Sequence, residues 1–181
     1  YIDLGTSAVL QPQNLTVTFW MKPDTVLSGE HMIAWFKPSG NWQGNGWYLS
    51  CLDDNVPLKL STGTSVQESF VNVPRSEFFP VGEWTHIAVV YDDATKNVSI
   101  YRNGVAQEVA YNLQGGSIVA NNVDRKYLGF NSPGYGHGYA KLNLDEYKIY
   151  NVAATAEEIR EVYINEGGIL DEEEIAQADL D

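Results

Sequence analysis

The segment from Trp84 to Asp92 constrains the fold more than any other part of the chain. Thr85, Ile87, Val89 and Tyr91 alternate with Trp84, His86, Ala88 and Val90. Side chains of a β-strand point alternately to opposite faces, so this stretch is largely apolar on both. A strand of that kind sits centrally in a sheet. The same period of two places Leu15, Val17, Phe19 and Met21 on one face and Thr16, Thr18 and Trp20 on the other. Residues 31–37, 46–52, 58–61, 69–73, 97–102, 105–111, 126–130 and 142–150 are further strand candidates, and residues 1–4 also read as extended. Asn103-Gly104 marks a tight hairpin, because both residues tolerate positive φ. Short strands divided by Gly, Pro, Asn and Asp clusters, with no interleaved helices, predict an all-β, antiparallel two-sheet sandwich. One short helix is expected near the C-terminus. Thr155 and Glu158 have capping-box spacing, Ile159, Val162 and Tyr163 supply an apolar stripe, and Gly167-Gly168 stops it.

The chain has 181 residues, enough for one sandwich with a full core and short for two domains. Residues 1–168 read as that domain. Residues 169–181 hold six acidic side chains and no basic one, and read as an acidic linker or tail. The net charge of −13 excludes the basic footprint that a nucleic-acid binder needs, and disfavours an anionic membrane surface. No apolar run approaches the roughly 20 residues that span a bilayer. The lone Cys51 shares strand parity with Trp47 and Leu49, so it is expected in the core, and no intrachain disulfide can form. Because the chain opens directly on a strand, we expect a monomeric domain excised from a multidomain, exported parent. The lack of disulfides points to a bacterial extracellular or cell-surface protein.

Four motifs, in order, resemble laminin-G-like jelly rolls of the concanavalin A-like lectin/glucanase superfamily. They are Thr18-Phe19-Trp20-Met21-Lys22-Pro23, the run Gly82 to Asp92, the hairpin Val98 to Gly104, and Leu144 to Asn151 with the helix that follows. The resemblance spans nearly all of residues 1–168 and implies a jelly-roll β-sandwich. It also places Trp20, Trp84 and Tyr91 at core positions, and implies a structural calcium ion at Asp145, with Asp24 as partner.

Sugar recognition needs aromatic faces that stack on ring C–H groups and planar polar groups that bond hydroxyls. Two glycine-rich loops offer both. One carries Asn41, Trp42, Gln43, Asn45 and Trp47; the other carries Asn131, Tyr135, His137 and Tyr139. Trp35 and Tyr48, on strands, could line a groove. His137 alone is a poor metal site without a second ligand at suitable spacing. A retaining glycosidase needs two carboxylates about 5–5.5 Å apart. The strand-borne acids Asp145 and Glu146 are adjacent and point to opposite faces unless a bulge intervenes. The expected function is therefore a non-catalytic carbohydrate-binding module, an accessory domain of a secreted glycoside hydrolase or similar protein, with glycan as its partner. The alternative is a structural or adhesive domain that packs against a neighbouring domain or protein.

Overall fold

The computed structural model describes residues 1–26, 29–39, 41, 43–51, 54–63, 68–111, 116–130 and 141–170. Twelve strands and two α-helices form in these residues. The strands are β1 (Ile2–Asp3), β2 (Leu15–Pro23), β3 (His31–Phe36), β4 (Trp47–Cys51), β5 (Lys59–Thr62), β6 (Glu68–Val71), β7 (Thr85–Asp92), β8 (Asn97–Arg102), β9 (Val105–Gln107), β10 (Val109–Tyr111), β11 (Tyr127–Leu128) and β12 (Leu142–Tyr150). The helices are α1 (Arg75–Phe78) and α2 (Ala156–Asn165), and a 3-10 turn covers Ala8–Leu10. A seven-stranded sheet runs β1-β11-β3-β4-β5-β6-β10, and a five-stranded sheet runs β12-β2-β7-β8-β9. Every pairing is antiparallel. The architecture is the expected jelly-roll sandwich.

The core lies between the sheets and follows strand parity. Leu15, Val17, Phe19 and Met21 of β2 and Ile87, Val89 and Tyr91 of β7 meet Phe36, Trp47, Leu49, Cys51 and Leu60 from the facing sheet. Burying side chains of this size contributes about 1.5–3 kcal/mol each. Cys51 is wholly buried among them, and burial pushes its thiol pKa up to about 12, so it packs as a small apolar residue. At the hairpin, Asn103 and Gly104 adopt φ of 51° and 79°, the left-handed pair the turn requires.

Residues 105–111 depart from the single strand expected. β9 pairs with β8 in one sheet, while β10 pairs with β6 in the other. The chain crosses between layers at Glu108, a sandwich corner that period-two patterning alone does not show. The short helix α1 and the 3-10 turn were also without a sequence signal.

The helix α2 covers the outer face of the five-stranded sheet. Its capping box is complete: Glu158 N–H donates to Thr155 Oγ1 at 3.2 Å, and Thr155 N–H donates to Glu158 Oε2 at 2.8 Å. Ile159 packs on Ala88, Val90 and Tyr101. Past the C-terminal end of α2, Glu166 accepts from Trp20 Nε1 at 2.9 Å and from Lys148 Nζ at 2.6 Å. Trp20 is therefore half-buried on this outer face, beneath α2, and not in the core between the sheets. Trp84 corrects the same expectation more strongly. It precedes β7 with the parity of His86 and Trp20, beyond the reach of α2, and is 43% exposed. Tyr91 does occupy the core.

His86 is fully buried in this outer layer, ringed by Trp20 and Tyr163. Its Nε2 lies 3.6 Å from Glu166 Oε2, too far for a hydrogen bond. Burial lowers its pKa to about 4; Glu166 opposes that shift and Lys148 adds to it. The folded chain thus holds His86 neutral where the unfolded chain, with an ordinary histidine pKa near 6.5, would protonate. Stability should be full above about pH 6.5, fall as pH drops toward 4, and level below it, a loss on the order of 3 kcal/mol. Thermal melts between pH 4 and 7 should show this slope in the native chain and a shallower one in His86→Gln. Equal slopes would contradict the assignment.

Candidate functional site

The loop between β3 and β4 is a hydrogen-bonded turn. Asn41 N–H donates to the Pro38 carbonyl at 3.1 Å, and Gly44 N–H donates to the Asn41 carbonyl at 3.0 Å. Gln43 N–H donates to Asn41 Oδ1 at 3.1 Å, an Asx turn that uses the asparagine side chain to shape the backbone. Gly46 closes the turn at φ 103°, where a Cβ would collide with the Phe36 carbonyl, so only glycine fits. Asn41 and Gln43 are exposed, and Asn45 is half-buried. Trp47 is not available to a ligand. It is wholly buried, stacked on Phe36 at 4.2 Å, and its indole N–H donates to the Leu10 carbonyl at 3.1 Å. Its strand parity with Leu49 and Cys51 is the reason, and it overrides the loop assignment. Trp42 lies outside the described residues.

Buried polar groups brace this turn from below. Gln11 is 2% exposed; its amide donates to the Phe36 carbonyl at 2.6 Å and accepts from Asn121 N–H at 2.9 Å. Lys126 is fully buried, and its ammonium donates to the carbonyls of Thr6, Asn121 and Asp124 at 3.0, 2.8 and 2.8 Å. Burial holds its pKa below the usual lysine value. Ser39 N–H in turn reaches Asp124 Oδ1 at 3.4 Å. Three segments distant in sequence, around residues 8–11, 38–46 and 119–126, are thus joined into one end of the sandwich.

The second proposed loop, with Asn131, Tyr135, His137 and Tyr139, lies outside the described residues. Its root does not. β11 pairs antiparallel with β3, with Leu128 opposite Ala34. The chain therefore leaves β11 near the start of β3, whereas the 38–46 turn leaves from its end. Between the two roots, the face of the seven-stranded sheet turned away from the core carries an aromatic cluster. Trp35 stacks on Tyr48 at 5.5 Å, and Met32, Tyr127 and Phe130 join them. Two lysines, Lys37 and Lys59, each approach to 5.4 Å from the Tyr48 ring centroid. Lys37 donates to Ser61 Oγ at 3.1 Å and to the Gly63 carbonyl at 2.8 Å, while Lys59 pairs with Glu30 at 3.1 Å. This mixture of rings, hydroxyls and paired charges is unlike the core, although the side chains are nearly all buried. The sequence reading identified Trp35 and Tyr48 but missed the lysines. The signal for Lys59 is the polar alternation in Leu58-Lys59-Leu60-Ser61, which parity assigns to one face, and that for Lys37 is its shared parity with Trp35.

The acids proposed for calcium are both exposed. Asp24 Oδ1 accepts from the Asn143 amide at 2.6 Å. Asp145 Oδ1 accepts from Glu146 N–H at 2.8 Å, inside a β-bulge between Asp145 and Lys148 where Glu146 takes φ 48°. Calcium requires six to eight oxygens, mostly from carboxylates and carbonyls. Among the described residues, no three His, Cys, Asp or Glu side chains gather to hold a metal. Asp24 and Asp145 thus belong to no carboxylate cluster among the described residues.

The sandwich and its ordered motifs accord with a family model. The model of the Laminin_G_3 type, described as the concanavalin A-like lectin/glucanases superfamily, matches residues 1–160. The chain belongs to this superfamily. No curated protein sequence matches the chain. Among solved structures, this superfamily member is similar to a native heptameric SAP-like pentraxin from Limulus polyphemus, at 18% identity and TM-score 0.59, covering 84% of this chain and 71% of the pentraxin. It is also similar to the binding domain of botulinum neurotoxin serotype D, at 14% identity and TM-score 0.63, covering 90% of this chain and 39% of that one. A third is a Trypanosoma rangeli sialidase, at 14% identity and TM-score 0.59, covering 88% and 23%. Likeness at such identities establishes the fold, and the lectin-like chain spans less than half of the toxin and sialidase chains. No described helix is long and apolar enough to cross a membrane.

Proposed function

We propose that this domain binds glycan without cleaving it, as an accessory module of a larger extracellular carbohydrate-active protein. The observation that carries the reading is the 38–46 turn. Its two exposed planar amides, Asn41 and Gln43, stand on a backbone already held by internal hydrogen bonds. A preorganised polar group loses little conformational freedom when it meets a sugar hydroxyl. Trp42, between them in sequence, supplies the stacking surface in this reading. The superfamily supports it, as does a similar structure, that of botulinum neurotoxin type C, whose cell entry is dependent upon interaction with two ganglioside molecules. The strand-borne acids support the non-catalytic part. Asp145 and Glu146 are exposed on an edge strand, and Glu146 pairs with Lys148 at 2.7 Å. A glycosidic acid needs a shielded carboxyl, which such an exposed position does not provide.

On a glycan array the isolated chain should retain at least one oligosaccharide class and release no shorter product. The variant Gln43→Ala, which leaves the Asn41 Asx turn intact, should bind about tenfold more weakly while melting as the native chain does. A native chain that retains no glycan would overturn the reading.

A further inference from the structure

We infer that the opposite end of the sandwich holds a second, separate glycan site, built from a cavity beside α1 and the exposed ring of Trp84; this inference rests on the glycan-binding reading above. A cavity of about 330 Å³ opens between the turn after β2, the turn at Asp54-Asn55 and α1. That volume is at the small end of the range for ligand sites, room for one ring-sized group. Its walls divide as a sugar ring divides. Phe79 and Val81 give an apolar side, and Asp54, Asn55, Ser76 and Arg75 give hydrogen-bonding groups. Arg75 is 5% exposed; its guanidinium donates to the Gly29 carbonyl at 3.1 Å, and its backbone N–H donates to the Asp54 carbonyl at 2.8 Å. The polar side is therefore fixed by the fold.

Trp84 adjoins this cavity through the Lys22-Pro23 corner. Pro23 and Val81 line the cavity, and Gly82 N–H donates to the Pro23 carbonyl at 2.9 Å. Lys22 Nζ lies 5.0 Å from the centroid of the Trp84 ring, a cation–π contact that restrains the indole. Opposite Lys22 in the sheet, Asn143 bonds Asp24 at 2.6 Å. A tryptophan 43% exposed, with the Lys22 ammonium on its ring and the Asn143–Asp24 pair on the next strand position, presents a stacking surface beside polar groups, as a pyranose needs. Charge selects among sugars. Among the described residues the cavity wall carries one cation, Arg75, and one carboxylate, Asp54, so an acidic sugar would bring an unmatched charge into it. The ligand is a neutral oligosaccharide, its terminal ring in the cavity and the next ring over Trp84.

The test uses the 181-residue chain on an array of neutral oligosaccharides and their sialylated counterparts, followed by titration with a soluble member that binds. Chemical shifts are recorded on ¹⁵N-labelled protein. The neutral ligand should shift the Trp84 indole and Asn55 amide signals. Trp84→Ala and the cavity-filling Ser76→Phe, both at exposed positions, should each weaken that site about tenfold. Glycan binding that perturbs only the 38–46 turn, with both variants unchanged, would overturn this site and leave the broader reading standing. Binding confined to sialylated glycans would overturn the neutral assignment. A chain that binds no glycan at all would overturn both.

Discussion

Trp47→Ala should lower the free energy of unfolding by about 3–5 kcal/mol, the range for deleting a large aromatic from a packed core. The loss has two parts. The ring is wholly buried and lies nearly parallel to Phe36, at an interplanar angle of 9°. Its indole N–H is the donor to the Leu10 carbonyl, so truncation also leaves that acceptor without its partner at the 3-10 turn. Urea melts followed by circular dichroism measure the difference, with Trp84→Ala as the internal control. Trp84 is outside the core and 43% exposed, so its truncation should cost clearly less, about 1 kcal/mol, chiefly the Lys22 contact it loses. If the two variants melt alike, the core assignment of Trp47 fails.

The second large effect is expected at Lys126. Its ammonium satisfies three backbone carbonyls from two segments, those of Thr6 on one side and Asn121 and Asp124 on the other. Lys126→Met keeps the length of the side chain and removes the donor, leaving three acceptors to compete for water they cannot easily reach. Each such loss costs about 1–3 kcal/mol, and together they should destabilise the chain by about 3–5 kcal/mol. The damage should be local first. The backbone pairs Leu4 N–H to Lys126 O and Lys126 N–H to Gly5 O tie the N-terminal segment down. Hydrogen exchange should therefore quicken at residues 4–11 and 121–126 before β2 and β7 respond. Uniform acceleration across both sheets would show that the cage does not act as a local clamp.

Much of this architecture was legible in the chain, because period-two patterning reports which face of a strand is buried. Leu15 to Met21 and Thr85 to Tyr91 fell where parity put them, as did Cys51 and the Thr155 capping box. Patterning does not report what covers the outer face. Trp20 and Trp84 share a parity, yet α2 shields one and leaves the other in solvent, a difference set by helix length and placement. Nor could alternation show that residues 105–111 divide between two sheets, since both halves remain extended. At the candidate site, sequence pointed to Asn41 and Gln43 through the glycines around them, but misassigned Trp47, where loop and strand meet within one residue. Lys126 carried no readable signal. Its partners are carbonyls, which every residue has, and the fold alone brings them together.

The bulge at Asp145 also bears on how copies of this domain behave beside one another. β12 is nine residues long and forms the outer border of the five-stranded sheet, with no partner strand on its far side among the described residues. A straight border of that length is a template for the same strand in a second copy. Here the register breaks between Asp145 and Lys148, Glu146 turns into the left-handed region, and three charged side chains crowd the break. An incoming strand can match only a few residues before it meets the kink. The break therefore limits edge-to-edge pairing between copies of this domain.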